Sequence, residues 1–376
     1  MISSQIFKNI KQEIKKILKK SLVSDELNPE EALELLKVKG KEFFALQYVA
    51  NHKCFEKKGK FVTFIINRNI NFTNICYQRC KFCSFSLPAT HPNAFLLSIK
   101  EIREKVSEAK NHGCTEVCIQ GGINPDLKFE YYLDILKNVK EIAPNMHIHA
   151  FSPQEVYYMS KLFENSIKDT LKELRKAGLD SIPGTAAEIL VDKVRKIICP
   201  NKINTAQWIE IISTSHKLGI PTTSTIMYGH IETINDRIKH LEILRELQKE
   251  TKGFTEFVPL PFVKEKPILS RLENVHLNPS YGMDDLKLFC VARLFLNNYI
   301  DNIQCSWVKL GPKFAQISLN YGVNDFSGTL MEENISRSAG AEFGEYLAPK
   351  EIINIITEAG KKPAQRDTIY NIVKYY

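Results

Sequence analysis

The chain has 376 residues, with 51 Lys plus Arg against 43 Asp plus Glu and a formal net charge of +8. Hydrophobic residues make up 44% and charged residues 25%, ordinary globular composition that excludes a disordered, collagenous or coiled-coil chain. The length suits one barrel of about 250 residues with terminal extensions, and no run reaches the roughly 18 apolar residues of a membrane span.

The positive excess is not concentrated. Lysines and glutamates are mixed along the chain, and Lys8, Lys11, Lys15, Lys16, Lys19 and Lys20 fall mainly on one helical face. That is a solvated face, so neither a nucleic-acid nor a membrane partner is expected. The same lysines interrupt any apolar run after Met1, so the start does not read as a signal peptide and a cytoplasmic location is expected. Without an export signal, the nine cysteines are expected to be reduced thiols or metal ligands.

In chain order, residues 1–60 read as a helical extension. Ile6, Ile10, Ile14, Ile17 and Leu18 recur at helical spacing, Asn28-Pro29-Glu30-Glu31 opens a second helix that Gly40 closes, and Phe43, Phe44, Leu46 and Val49 mark a third. From Phe61 short β-rich runs alternate with longer amphipathic ones. Strands are expected at Phe61–Phe72, Glu116–Gln120, His147–Phe151, Asp180–Ile182, Pro221–Tyr228 and Thr255–Pro259, with weaker β/α material at Ile303–Val308. Helices are expected between them at Ile99–His112, Glu130–Glu141, Ser166–Ala177, Thr205–Leu218 and Asn235–Glu250. This alternation predicts parallel strands ringed by helices, an α/β architecture over residues 61–325. Residues 326–376 are expected to be a glycine-containing loop and two helical pieces, Lys350–Ala359 and Arg366–Val373.

Two features carry chemistry. In the first strand, Asn67, Asn69 and Asn71 alternate with Ile66, Ile70 and Phe72, so the amides share one face and are expected to line an internal cavity. Directly after that strand, Cys76, Cys80 and Cys83 stand within eight residues. Three thiolates on a tight loop suit three corners of an iron–sulfur cubane. A structural zinc site or a four-cysteine electron carrier would want a fourth ligand, and His91 lacks zinc-finger spacing. The open iron of such a cubane can chelate a small molecule.

Cys-x3-Cys-x2-Cys with Phe82 before the last cysteine resembles the radical S-adenosylmethionine (SAM) superfamily. The resemblance implies a (β/α) barrel, a [4Fe–4S] cluster on Cys76, Cys80 and Cys83, and SAM on the free iron with Phe82 near its adenine. It also implies cofactor contacts from Gly121 and Gly122, where the family's usual acid after two glycines is lacking, and from Glu188 to the ribose. Thr225, Met227 and Gly229 match its adenine motif on the fifth strand, with Thr225 in place of a glycine.

The resemblance narrows through five further segments taken in order: Gln120–Asp126, His147–Pro153, Pro183–Glu188, Thr255–Phe262 and Met331–Gly340. Together they resemble the FO synthase subunit 2 (CofH-type) family. The implied reaction cleaves L-tyrosine and transfers its 4-hydroxybenzyl group to 5-amino-6-(D-ribitylamino)uracil. It releases 2-iminoacetate, methionine and 5′-deoxyadenosine, on the route to the deazaflavin coenzyme F420. A low-potential electron donor and FO synthase subunit 1 as pathway partner are implied with it. Asn67, Asn69, Asn71, His147 and His149 would contact the organic substrates, and Arg195, Arg237 and Arg337 are candidates for the tyrosine carboxylate; no catalytic base is assigned. The competing readings are a radical enzyme of the futalosine route to menaquinone and a non-catalytic iron–sulfur protein.

Overall fold

The structure is a computed structural model and describes residues 4–376. Three helices, α1 (Gln12–Leu22), α2 (Pro29–Lys37) and α3 (Lys41–Lys58), precede the first strand. The helix expected from Ile6 is broken: Ser4–Phe7 is a single 3-10 turn, and Asn9 takes a left-handed φ of 60°, which asparagine tolerates. Asn28 caps α2 through a reciprocal capping box with Glu31. Gly40 stands beyond that helix's end and, at φ 53°, opens α3.

The strands are β1 (Phe61–Ile65), β2 (Asn67–Asn71), β3 (Glu116–Gln120), β4 (His147–Ala150), β5 (Thr222–Tyr228), β6 (Phe254–Pro261), β7 (Asp325–Gly328), β8 (Lys362–Arg366) and β9 (Ile372–Tyr375). β2, β3 and β4 pair in parallel, β5 pairs in parallel with β6, and β7 pairs in parallel with β1. Parallel bridges His149↔Ser181, Ile182↔Thr222, Phe257↔Ile303 and Gln304↔Asp325 fill the remaining gaps. With β1 and β2 counted as one bent strand, the ring closes as a (β/α) barrel. The outer helices are α4 (Ile99–Asn111), α5 (Phe129–Ile142), α6 (Pro153–Leu162), α7 (Ile167–Ala177), α8 (Asp192–Ile198), α9 (Thr205–Lys217), α10 (Ile234–Thr251) and α11 (Gly282–Leu296). Their apolar stripes, such as Ile102 and Val106, Ile135 and Val139, Leu171 and Leu174, are fully buried with the outward residues Ile70, Val117, Ile119 and Ile148. Each such side chain stabilises the fold by about 1.5–3 kcal/mol.

The C-terminal region departs from expectation in two places. β7 runs past Asp325, so the barrel's last strand crosses into the segment expected to be a loop. Arg366–Val373 is not a helix: β8 pairs in parallel with β1, and β9 folds back on β8 as an antiparallel hairpin. The reason is an open edge. Past Ile65 the first strand turns to pair with β3, which leaves β1 one side free, and β8 takes it.

The hairpin carries Arg366 into the barrel floor. Its Nε and Nη2 donate to the two Asp325 carboxylate oxygens at 2.6 and 3.1 Å, and Nη2 lies 3.5 Å from Glu256. Its guanidinium also stacks 4.0 Å from the Tyr370 ring centroid. Removing one member of a buried ion pair strands the other and costs about 3–5 kcal/mol. Arg366→Met is therefore expected to lower unfolding stability by about that amount in urea titrations, whereas Lys374→Met on the exposed β9 should change it by under about 0.5 kcal/mol.

Candidate functional site

All barrel strands deliver their C-terminal ends to one face, and a cavity of about 390 Å3 opens there. It is lined by Cys76, Cys80 and Cys83, by Gly121 and Gly122 after β3, by Glu188, by Thr225 and Met227 of β5, and by Asn69, Cys118 and Gln304 deeper in the barrel. A larger surface depression of about 680 Å3 lies outside α4 among Lys100, Arg103 and Glu104, far from these groups in the fold.

The cysteine loop is held from several sides through its backbone. Cys76 N donates to Leu87 O at 3.1 Å, Tyr77 N to Ile123 O at 3.1 Å, and Lys81 N to Ile198 O at 2.8 Å. Between the cysteines Arg79 takes a left-handed φ of 49°, turning the chain sharply enough to put Cys80 inside. Gly121 and Gly122 make this nesting possible. A Cβ on Gly122 would stand 2.2 Å from the Ile75 carbonyl oxygen, and one on Gly121 would stand 2.5 Å from the Phe72 ring. The glycines thus admit the chain's own cysteine loop.

Burial pushes the Cys80 and Cys83 thiols up, so the thiolates are disfavoured until a cationic centre binds the sulfurs and displaces their protons. The three sulfurs line a wall, and among the described residues no His, Cys, Asp and Glu trio converges on one point as a single ion requires. Soft donors spread along a wall fit a cluster with several corners.

Beside the loop sits a charged group that the sequence indicated only in part. Glu188 adopts φ 42°, in the left-handed region, and its Oε1 accepts from Lys202 Nζ at 2.7 Å. Its Oε2 is buried without a hydrogen-bond partner, 3.6 Å from Arg195. A strained acid thus stands at the cavity wall, held between Lys202 and Arg195. Lys202 also stands 5.6 Å over the Phe82 ring. Burial opposes its charge, but Glu188, Cys80 and Cys199 raise its pKa on balance. Lys202 was missed; the one signal was its place after the Cys199-Pro200-Asn201 turn.

No acid directly follows Gly122 in the chain, but the carboxylate of Glu155 reaches these glycines at the cavity wall. It accepts from Gly121 N at 3.0 Å and closes a capping box on Ser152 at the start of α6. Burial pushes its pKa up to about 7, against the hydrogen bonds from Ser152 and Gly121. The Ser-x-x-Glu spacing marks that cap in the sequence. Thr225, standing where the family has glycine, donates to Gly184 O at 2.9 Å and pins the Pro183-Gly184-Thr185 loop to β5. Gly229 does not line the cavity; at φ 83° it turns the chain out of β5.

The residues expected to meet the organic substrates divide sharply by depth. Asn69 lines the cavity. Asn67 does not: its amide donates to Glu116 at 2.9 Å and accepts from Leu330 N at 3.0 Å. Asn71 donates to Gln120 O at 3.3 Å and lies outside the cavity. His147 and His149 are also outside it, both 2.7 Å from Ser181 Oγ near the floor. Burial pushes His149 down to about 4, countered by Glu116.

None of the three arginines reaches the cavity. Arg195 is committed to the carbonyls of Ala186, Ala187 and Ile203, Arg237 pairs with Glu232, and Arg337 is a surface partner of Glu345. The cations at the cavity wall are Lys202 and Lys309. The ammonium of Lys309, on the short helix Trp307–Leu310, makes no hydrogen bond or ion pair among the described residues. Burial lowers its pKa, while Glu333 and Cys83 act to raise it.

A parallel barrel with a cysteine loop at its mouth and a glycine-lined, acid-bearing wall defines an enzyme of the radical SAM class. Comparison with known proteins agrees: the radical SAM superfamily profile matches residues 70–244, and the CofH/MqnC C-terminal region matches residues 251–375. Solved structures of similar fold include methylornithine synthase PylB, at TM-score 0.73 and 18% identity, covering 93% of this chain and 97% of that one. The hydrogenase maturase HydG from Carboxydothermus hydrogenoformans aligns at TM-score 0.74 and 15% identity, covering 97% and 82%.

Curated relatives are much closer in sequence. Proteins named 5-amino-6-(D-ribitylamino)uracil–L-tyrosine 4-hydroxyphenyl transferase are 52% identical in Methanopyrus kandleri, over 85% of this chain and 86% of the relative. The protein of that name in Methanocaldococcus jannaschii is 49% identical over 93% of this chain and 98% of its own length. The chain belongs to this transferase family of the radical SAM superfamily.

The glycine nesting yields a test. Gly122→Ala is expected to push the cysteine loop outward, so that anaerobic reconstitution recovers less than about a tenth of the wild-type iron and sulfide while far-UV circular dichroism is unchanged. Wild-type iron content in that variant would contradict the packing account.

Proposed function

We infer that this chain cleaves L-tyrosine and transfers the 4-hydroxybenzyl fragment to 5-amino-6-(D-ribitylamino)uracil in coenzyme F420 biosynthesis. The observation that carries the reading is identity near 50%, over 85% or more of the chain, to proteins named for that transfer, together with a single cavity joining the cysteine loop to a polar barrel interior. No helix among the described residues is long and apolar enough to cross a membrane. The futalosine alternative has no observation in its favour, because the C-terminal profile covers both groups while the curated relatives carry the transferase name.

In this reading Cys76, Cys80 and Cys83 hold a [4Fe–4S] cluster with one open iron. When bound, the cluster and SAM supply a 5′-deoxyadenosyl radical from an electron given by a low-potential donor. The chain's own residues position and exclude. Phe82 and Met227 offer apolar surface to the adenosyl group, and Glu188, on the same wall, is the acid assigned to the ribose. Lys202 donates to Glu188 and fixes it beside Phe82. Deeper in the cavity, Asn69, Gln120 and Gln304 present amides to the donors and acceptors of the pyrimidine. Gln304 is oriented by donating to Glu256 at 2.9 Å, and Gln120 by accepting from Thr185 at 3.0 Å. Confinement places the benzyl fragment against the acceptor ring and keeps water from quenching it.

Anaerobic incubation with ring-labelled tyrosine, the diaminouracil, SAM and a reductant tests this. Mass spectrometry should find label in a uracil-containing adduct, with 2-iminoacetate, methionine and 5′-deoxyadenosine. No fluorescent deazaflavin should form until FO synthase subunit 1 is added, because the adduct's ring is still open. Absence of label from every uracil-containing product would overturn the reading. Cys80→Ala should abolish SAM cleavage, whereas Cys290→Ser, a core thiol, should leave it within about threefold of wild type.

A further inference from the structure

We propose that Lys309 and Glu333 form the recognition site for an α-amino acid zwitterion, the ammonium of Lys309 taking the α-carboxylate of tyrosine and the carboxylate of Glu333 taking its α-amino group. The inference rests on the transferase reading and adds the residues that select the amino acid.

The argument is one of open valences. The cavity wall carries two lysine–glutamate sets. In the first, Lys202 and Glu188 are in direct contact at 2.7 Å and largely satisfy each other. In the second, Lys309 and Glu333 line the same cavity and feel each other's charge, yet form no ion pair. Glu333 uses Oε2 to accept from Ser336 N at 2.9 Å, capping the turn Asn334–Ala339. Its Oε1 has no partner among the described residues and is not among the sealed, unpartnered atoms, so it keeps open surface. The same holds for Lys309 Nζ.

A half-buried ammonium without an anion is unfavourable, and so is a buried carboxylate with one oxygen left without a donor. A zwitterion fitted between them removes both penalties at once. Val308, next to Lys309, and Ile335, two residues after Glu333, line the same cavity and add apolar surface for a phenol ring. The arginines that the sequence offered for this task are all committed elsewhere.

The pairing also serves the chemistry. Transfer of one proton from the tyrosine ammonium to Glu333 leaves a neutral amine and a neutral carboxylic acid. That amine can then lose a hydrogen atom to the 5′-deoxyadenosyl radical, giving 5′-deoxyadenosine and a nitrogen-centred radical. Cα–Cβ cleavage follows to 2-iminoacetate and the 4-hydroxybenzyl radical.

The test uses the reconstituted, oxidised holoenzyme with SAM and no reductant, so that binding is read without turnover. Equilibrium dialysis compares L-tyrosine with tyramine, which keeps the phenol and amine but lacks the carboxylate. Wild type should prefer tyrosine by about 100-fold. Lys309→Met should weaken tyrosine binding by about 10–100-fold, leave tyramine and SAM within about threefold, and erase the preference. Lys309→Arg should keep most of it. Glu333→Gln should retain the preference but slow 5′-deoxyadenosine formation once reductant is added. If wild type binds no tyrosine, the transferase reading falls and this inference with it. If wild type binds tyrosine and Lys309→Met binds it equally, or loses SAM instead, this inference alone is overturned.

Discussion

The first strand has to serve two neighbours in succession. Residues 61–65 pair with β7 on one side and β8 on the other, and residues 67–71 leave that pairing to join β3. This bend closes the ring and gives the C-terminal hairpin its seat. The seat is expensive in charge, because Asp325 and Glu256 point inward at the floor; burial pushes Glu256 up to about 7 with Arg366 opposing. Arg366 reaches in from β8 to neutralise both, and Thr63 donates to Asp325 at 2.5 Å. The polar floor is thereby sealed by protein groups, and solvent-facing chemistry is confined to the opposite end of the strands.

At that end the same logic is left incomplete on purpose. Below, carboxylates and amides have partners: Asn67 with Glu116, His147 and His149 with Ser181, Gln304 with Glu256. Above, Glu188 Oε2 is an orphan and Lys309 and Glu333 stay unpaired. Charged groups left without an ion-pair partner on a cavity wall are where ligands belong, because ligand binding supplies the missing partners. Strained backbone occurs here as elsewhere in the fold, with Arg79 and Glu188 in left-handed conformations on two loops that flank the cavity.

Much of the barrel was legible because its strands and helices obey period rules. Glu116–Gln120 coincides with β3, and Ile99–His112 with α4 to within a residue. The hairpin was misread because β9 is exposed throughout and Ile369 with Val373 imitates a helical i, i+4 pair. Its strand character comes from the free edge of β1, which no local pattern announces. Alternation correctly put Asn67, Asn69 and Asn71 on one face, but period two reports a face and not a depth, so one of the three reaches the cavity. Cys76, Cys80 and Cys83, which share one cavity wall, were legible as a group from their spacing and their place after the first strand. Lys202, Lys309 and Glu333 were not, because each becomes informative only through what it faces across the barrel.

The central claim is that three cysteines at the barrel mouth leave one iron free to chelate the amino acid end of SAM. Electron–nuclear double resonance on the reduced enzyme, with SAM carrying 15N at its amino group and 17O at its carboxylate, tests this directly. The account predicts hyperfine coupling from both labels to the cluster, lost when Cys76, Cys80 or Cys83 is replaced. A cluster that forms fully yet shows coupling to neither label would contradict it.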